Sequence, residues 1–172
     1  MKKRIVLLIA FCSLIARIDA QQIKSVKIGD QVWMASNLNV SVPGSWNYND
    51  NAELGKKYGR LYTWEAAKNS CPAGWHLPSQ NEWGILIEKL GGEDKAGKFL
   101  RAEGENGFKA VLGGLTDVSN FRLLNNYGAF WTSTSYSSDS SWFLYITSSN
   151  DIVTTTFSVK SHGLSVRCLK NK

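Results

Sequence analysis

The sequence predicts an α+β fold, with two helices packed on a mainly antiparallel, twisted β-sheet and long connecting loops. Three observations point there. Two short apolar segments near the start flank a Gly-Asp turn. A capped amphipathic helix begins at Ser79. From residue 107 onward the chain breaks into short alternating segments separated by Ser, Asn and Asp.

Taken in order, Ile23 to Ile28 and Gln31 to Ala35 read as strands, and Gly29-Asp30 suits a two-residue hairpin turn. Ser41 to Gly59 is polar and rich in Asn, Gly and Ser, which predicts a long loop. Leu61 to Ser70 carries helix formers with Leu61, Trp64 and Ala67 on one side. It should end near Cys71, because Pro72 disfavours helical geometry in the residue before it. Ser79 and Glu82 form S-x-x-E, a capping box. Trp83, Leu86, Ile87 and Leu90 then follow at helical spacing, and Gly91 suits a left-handed cap. Gly107 to Leu112 reads as a strand. Gly113 to Asn126 reads as a loop with a short strand near Phe121 to Leu124. Ala129 to Ser135, Trp142 to Ser148, Ile152 to Ser158 and Leu164 to Leu169 complete the β-rich half.

The first 20 residues stand apart. Lys2, Lys3 and Arg4 precede an apolar run from Ile5 to Ile15, broken at Ser13, and Ala20 offers a small residue for cleavage. The run of about eleven residues is shorter than the ~20 of a spanning helix. A secretory signal peptide over 1–20 is expected, then one domain over 21–172, with no membrane span after cleavage. Destination in the periplasm or outside the cell stays open. The whole chain is net +6. Removing Lys2, Lys3, Arg4, Arg17 and Asp19 leaves 16 basic and 13 acidic side chains, net +3. Those charges are scattered, so nucleic acid is not an expected partner.

Cys12 leaves with the signal, and Cys71 and Cys168 remain. An even pair in an oxidising compartment predicts a disulfide. The rival reading is two free thiols or a zinc site completed by His76 and His162, but no close C-x-x-C or H-x-x-x-H spacing supports it. No cofactor is expected.

"CPAGWHLPSQNEW" concentrates a thiol, an imidazole and a carboxylate within residues 71–83. Glu82 is committed to the helix cap, where it also meets the positive end of the helix dipole. His76 reads as a hydrogen-bonded structural residue and His162, in "KSHG", as a solvated one. With no base–nucleophile pair evident, an enzyme is not expected. Trp33, Trp64, Trp75, Trp83 and Trp131 lie in patterned segments and read as core. Trp142, at the start of a strand, reads either way. Trp46, in "PGSWNYND", is the candidate exposed aromatic, with Tyr48 and Asp50 beside it as ligand-binding candidates. A loop tryptophan folded onto the core is the alternative. "NYNDNAE" supplies a weak calcium candidate in Asn49, Asp50 and Glu53. A second candidate surface is the loop with Asp117, Asn120, Arg122 and Asn126.

"VWMASNLN", "YGRLYTW", "CPAGWHLPSQNEW", "LGG", "FWTSTSY" and "SVRCL" occur in this order. Together they resemble the Fibrobacter succinogenes major paralogous domain family of secreted bacterial proteins, from about Ile28 to Leu169. That family is similar in pattern to the C-type-lectin-like fold and to the formylglycine-generating-enzyme type of domain. The resemblance implies a C-type-lectin-like fold but supplies no catalytic residues. Sugar-binding lectins of that fold use Glu-Pro-Asn and Trp-Asn-Asp tripeptides for calcium. Neither occurs here, and Trp131 is followed by Thr132 and Ser133. The enzymes use two cysteines close in sequence, unlike Cys71 and Cys168. The expected function is therefore a secreted, non-catalytic binding or adhesion module for an extracellular glycan or surface protein. A structural or assembly domain is the alternative. The oligomeric state is not legible.

Overall fold

The computed structural model describes residues 23–101, 107–117 and 119–172. The expected signal peptide lies outside the described residues. The first half contains β1 (Ser25–Ile28), β2 (Gln31–Met34), β3 (Ser45–Trp46), α1 (Ala52–Tyr58), β4 (Leu61–Tyr62), α2 (Trp64–Lys68), β5 (Trp75–His76), α3 (Gln80–Lys89) and α4 (Glu93–Leu100). The second contains β6 (Leu115–Thr116), β7 (Phe121–Arg122), β8 (Tyr127–Ser135), β9 (Ser140–Thr147), β10 (Thr154–Val159), β11 (Leu164–Ser165) and β12 (Leu169–Lys170).

The strands form two main sheets and a small hairpin. A four-stranded sheet runs β1-β2-β12-β5, and a six-stranded sheet runs β10-β9-β8-β11-β4-β3. The six-stranded sheet is antiparallel except where β11 meets β8 in parallel, at Ser165 opposite Phe130. β6 and β7 pair with each other, Thr116 opposite Phe121. The mixed α/β character and the largely antiparallel pairing agree with the sequence reading.

β8 supplies both halves of the core, because successive strand side chains point to opposite faces. Phe130 packs with Trp33, Trp83, Phe108, Leu86, Leu144 and Ile146. Ala129 and Trp131 point the other way, toward Tyr62, Trp64, Leu77, Phe143 and Val166. In the first cluster Trp33 and Trp83 lie 4.5 Å apart between ring centroids, with Phe108 edge-on to both. Burying rings of this size contributes roughly 1.5–3 kcal/mol each. The indoles of Trp64 and Trp131 also donate to buried carbonyls, Thr132 O at 2.8 Å and Tyr62 O at 2.7 Å.

Cys71 and Cys168 are joined in a disulfide, with Cα atoms 5.9 Å apart. The bond ties the chain just beyond α2 to the segment that enters β12. The Ser79–Glu82 capping box is present as well. The Ser79 hydroxyl accepts from Glu82 N–H, and the Glu82 carboxylate accepts from Ser79 N–H at 2.8 Å.

Several expectations are corrected. Four α-helices, not two, occur among the described residues. The expected loop 41–59 contains β3 and α1. The Asn51 side chain caps α1, accepting from Glu53 N–H and Leu54 N–H, so an Asn-rich run that looked like a turn starts a helix instead. α4 follows Gly92 at its N-cap and has Glu93 and Asp94 in its first turn, where carboxylates suit the helix dipole. The expected helix from Leu61 shrinks to α2, because Leu61 and Tyr62 pair with β11 and β3 and Thr63 becomes the N-cap.

The expected strand 107–112 makes one bridge only, Ala110 to Arg101. The expected strand 164–169 is split between the two sheets as β11 and β12. Both departures centre on Arg167, which is fully buried. Its guanidinium donates five hydrogen bonds. They reach Met34 O, Phe108 O, Lys109 O and, twice, Asn37 Oδ1, at 2.7–3.3 Å. The carbonyls of Phe108 and Lys109 are thus taken by a side chain rather than a neighbouring strand. Burial lowers the guanidinium pKa to about 9, still above neutral pH, so the group keeps its charge.

Candidate functional site

The two loops singled out in the sequence meet on one face. Trp46 in β3 pairs opposite Leu61. A Cβ on Gly163 would meet Thr116 Cγ2 at 2.5 Å and Trp46 Cε3 at 3.3 Å, so the turn before β11 needs a glycine to pass between them. Tyr48 packs against Phe121, centroids 5.2 Å apart. The Trp46–Tyr48 segment and the β6–β7 hairpin therefore form one surface, and Trp46 falls between the two readings, exposed platform and ring folded onto the core. Trp46 is half-buried and Tyr48 is buried. Both aromatics serve mainly to seat the hairpin.

The polar candidates on this face are largely occupied. Asp117 accepts from Asn120 N–H at 3.0 Å and pairs with Arg122. The Asn120 hydrogen bond, then Arg122 and His162 nearby, hold its carboxyl below the usual range. Asn126 lies elsewhere, accepting from Ser148 Oγ at 3.3 Å. His162, expected to be solvated, is half-buried with Nδ1 2.9 Å from Ser158 Oγ.

The calcium candidate does not assemble. Asn49 and Asp50 are exposed and adopt left-handed φ values of 50° and 55°, making a turn. Glu53 pairs with Lys56 at 2.7 Å. Among the described residues no three His, Cys, Asp or Glu side chains converge on a common point.

His76 is half-buried and hydrogen-bonded on both sides, Nε2 3.0 Å from Glu82 Oε1 and Nδ1 2.7 Å from Asn171 Oδ1. Burial alone would raise the Glu82 pKa. The N–H and hydroxyl of Ser79, with His76 adjacent, outweigh it and hold the carboxyl below its usual range. The trio fixes a helix N-terminus. The Ser79 hydroxyl faces Glu82, and in this arrangement His76 is not bonded to it.

A more open site lies on the sheet face beneath α3. Trp142 in β9 stands opposite Phe157 in β10, so both side chains share a face with Leu144 and its partner Thr155. Tyr136 stacks on Phe157, centroids 4.1 Å apart and planes within 4°. Trp142 meets both rings edge-on. Tyr136 is 50% exposed and Phe157 49%. Two residues along β10, Thr155 lines a groove of about 720 Å³ whose opposite wall is α3, with Gln80, Asn81, Ile85 and Glu88, and the start of α4 at Glu93. Gln80 N–H donates to Thr134 Oγ1 at 3.1 Å, two residues before Tyr136. An aromatic shelf and a groove rimmed by amides, carboxylates and a hydroxyl thus lie side by side. Sequence reasoning weighed Trp142 alone and missed Tyr136 and Phe157. The available signal was Phe157, a lone ring among the threonines and serine of "TTTFSV".

These features define a small disulfide-linked mixed α/β domain with an aromatic shelf beside a groove and no assembled catalytic constellation among the described residues. The Fibrobacter succinogenes major domain matches residues 26–170, and the chain belongs to that family. No curated protein and no solved structure matches it.

Proposed function

We propose that the protein is an exported, non-catalytic glycan-binding module of the bacterial cell envelope or exterior. The carrying observation is the half-exposed Tyr136–Phe157 stack beside the groove under α3. A sugar ring has an apolar C–H face and a polar rim. An exposed aromatic face takes the first, and the Gln80, Asn81, Glu88 and Thr155 side chains suit the second. Export through a signal peptide over 1–20 fits the disulfide, which belongs in an oxidising compartment. A C-type-lectin-like architecture is part of this reading, supported by the capped helix α3 and the Cys71–Cys168 link to the last strand. Among the described residues the bonded cysteines leave no thiol for an oxidase of the formylglycine-generating type.

The test is a glycan array and affinity electrophoresis against bacterial and plant polysaccharides. Phe157→Ala and Trp142→Ala are expected to lose retention at unchanged melting temperature. Trp46→Ala is expected to lower the melting temperature instead. Retention unaffected by both shelf variants would refute the reading.

A second reading, an assembly domain, is favoured by β10 itself. It is the outer strand of the six-stranded sheet, it carries no charge from Thr154 to Val159, and Val159 is exposed beside Phe157. An uncharged sheet edge is a template for further strand pairing. Sedimentation showing oligomers that Phe157→Lys dissolves, with no glycan retained, would select it.

A further inference from the structure

We propose that a second cleft, between the end of α1 and the end of β9, binds a carboxylate-bearing ligand the size of one hexuronic acid residue. The cleft holds about 350 Å³ and is lined by Lys57, Tyr58, Arg101, Asn125 and Ser148 over an apolar floor of Ala110, Val111 and Leu112.

Three independent features favour an anion there. The first is the balance of donors and acceptors. Tyr58 donates its hydroxyl proton to Asn125 Oδ1 at 2.5 Å, which occupies the amide's acceptor, and no partner for its NH₂ group occurs among the described residues. Ser148 donates to Asn126 Oδ1. Lys57 Nζ lies 4.9 Å from the Tyr58 ring centre, and no described carboxylate pairs with it. Arg101 is neutralised by Asp151, so among the described residues Lys57 and the Asn125 amide are the donors left for a ligand.

The second feature lies under the floor. The Arg167 charge is enclosed by carbonyls and an amide, and no carboxylate among the described residues pairs with it. Two of those carbonyls, Phe108 and Lys109, immediately precede the floor residue Ala110. Asn37, which accepts from Arg167, also approaches Val111 O at 3.4 Å. A buried cation is screened far less than a surface one, so its field favours negative charge in the cleft above.

The third feature is backbone strain. Lys109, Leu123 and Asn125 adopt φ values of 50°, 63° and 64°, three of the five non-glycine residues in the left-handed region among the described residues. Such conformations persist where surrounding structure enforces them; Asn125 lines the cleft itself, and Lys109 directly precedes its floor. The floor suits the C–H face of a sugar ring, while Lys57 and the Asn125 amide face its carboxylate.

The experiment is a ¹⁵N–¹H NMR titration with sodium glucuronate, with glucose at matched ionic strength, and with an oligogalacturonide. Glucuronate is expected to shift the amides of Lys57, Val111, Asn125 and Ser148 where glucose does not. Lys57→Met is expected to weaken binding about tenfold or more at unchanged melting temperature, since one charged hydrogen bond is lost. Asn125→Gly keeps the left-handed backbone and should weaken it less. Phe157→Ala, on the aromatic shelf, should leave it unchanged. Tighter binding of the oligogalacturonide identifies a polysaccharide as the source of the carboxylate, and equal binding identifies a free sugar acid. Equal shifts with glucose, no shifts at these amides, or full binding by Lys57→Met would overturn the assignment.

Discussion

Replacing Arg167 by methionine tests how this fold is held together. The guanidinium satisfies four acceptors from two distant segments, Met34 O and Asn37 Oδ1 in one and Phe108 O and Lys109 O in the other. Methionine fills much of the same volume and donates nothing. Each buried acceptor stripped of its donor costs about 1–3 kcal/mol. Lys109 is exposed, so water can reach its carbonyl, and three acceptors carry the loss. That sums to roughly 3–9 kcal/mol, reduced because the variant no longer buries a charge, for a net of about 3–5 kcal/mol. For a domain of this length the melting temperature should fall by about 6–20 °C. Arg167→Lys keeps the charge and offers three donors instead of five, so it should fall between parent and Met variant. Thermal melts by circular dichroism and urea titrations give both numbers, and the Lys variant keeps the test open if the Met variant does not fold. A Met variant melting within about 3 °C of the parent, with an unchanged urea slope, would refute the reasoning.

Two other outcomes follow from the same geometry. Replacing Cys71 and Cys168 together by serine frees a loop spanning 97 positions and should cost up to about 4–5 kcal/mol, read as a lower urea midpoint. Because the folded pKa of Glu82 is depressed, its stabilisation is fully present above the ordinary carboxyl value of about 4.3 and is lost as pH falls through the folded value. Glu82→Gln should therefore be less stable than the parent at pH 7, with the gap closing below about pH 4. Parallel urea curves at the two pH values check this, and a pH-independent gap would contradict it.

The features legible in the sequence are those whose cause is local. Ser79 and Glu82 are three residues apart, and the box they predict is the box that forms. The hairpin around Gly29-Asp30 and the long strand β8 follow from turn chemistry and alternation in the same way. α1 was hidden because its seven residues form too short a window for a helical stripe, and its cap, Asn51, sits in a run that reads as turns. The split of 164–169 was hidden because Arg167 answers to carbonyls at positions 34, 108 and 109. No window of sequence contains that constraint. The aromatic shelf was hidden for a related reason. Phe157 meets Trp142 only through the register of β9 with β10, and Tyr136 reaches Phe157 from beyond the irregularity between Trp131 and Ser135. Trp46 stayed open between exposed and folded-back readings because the turn at Gly163 that packs against it is more than a hundred positions away in sequence.

The placement of β1 and β12 has a consequence for how such a unit can be used. Val26 and Leu169 flank Trp33 from opposite sides, so the polypeptide enters and leaves across a single intervening strand, about 10 Å apart. Neither point belongs to the sheet that carries Phe157. A longer polypeptide can carry this unit like a bead on a string, with its two attachment points gathered together and the shelf's sheet free to face outward.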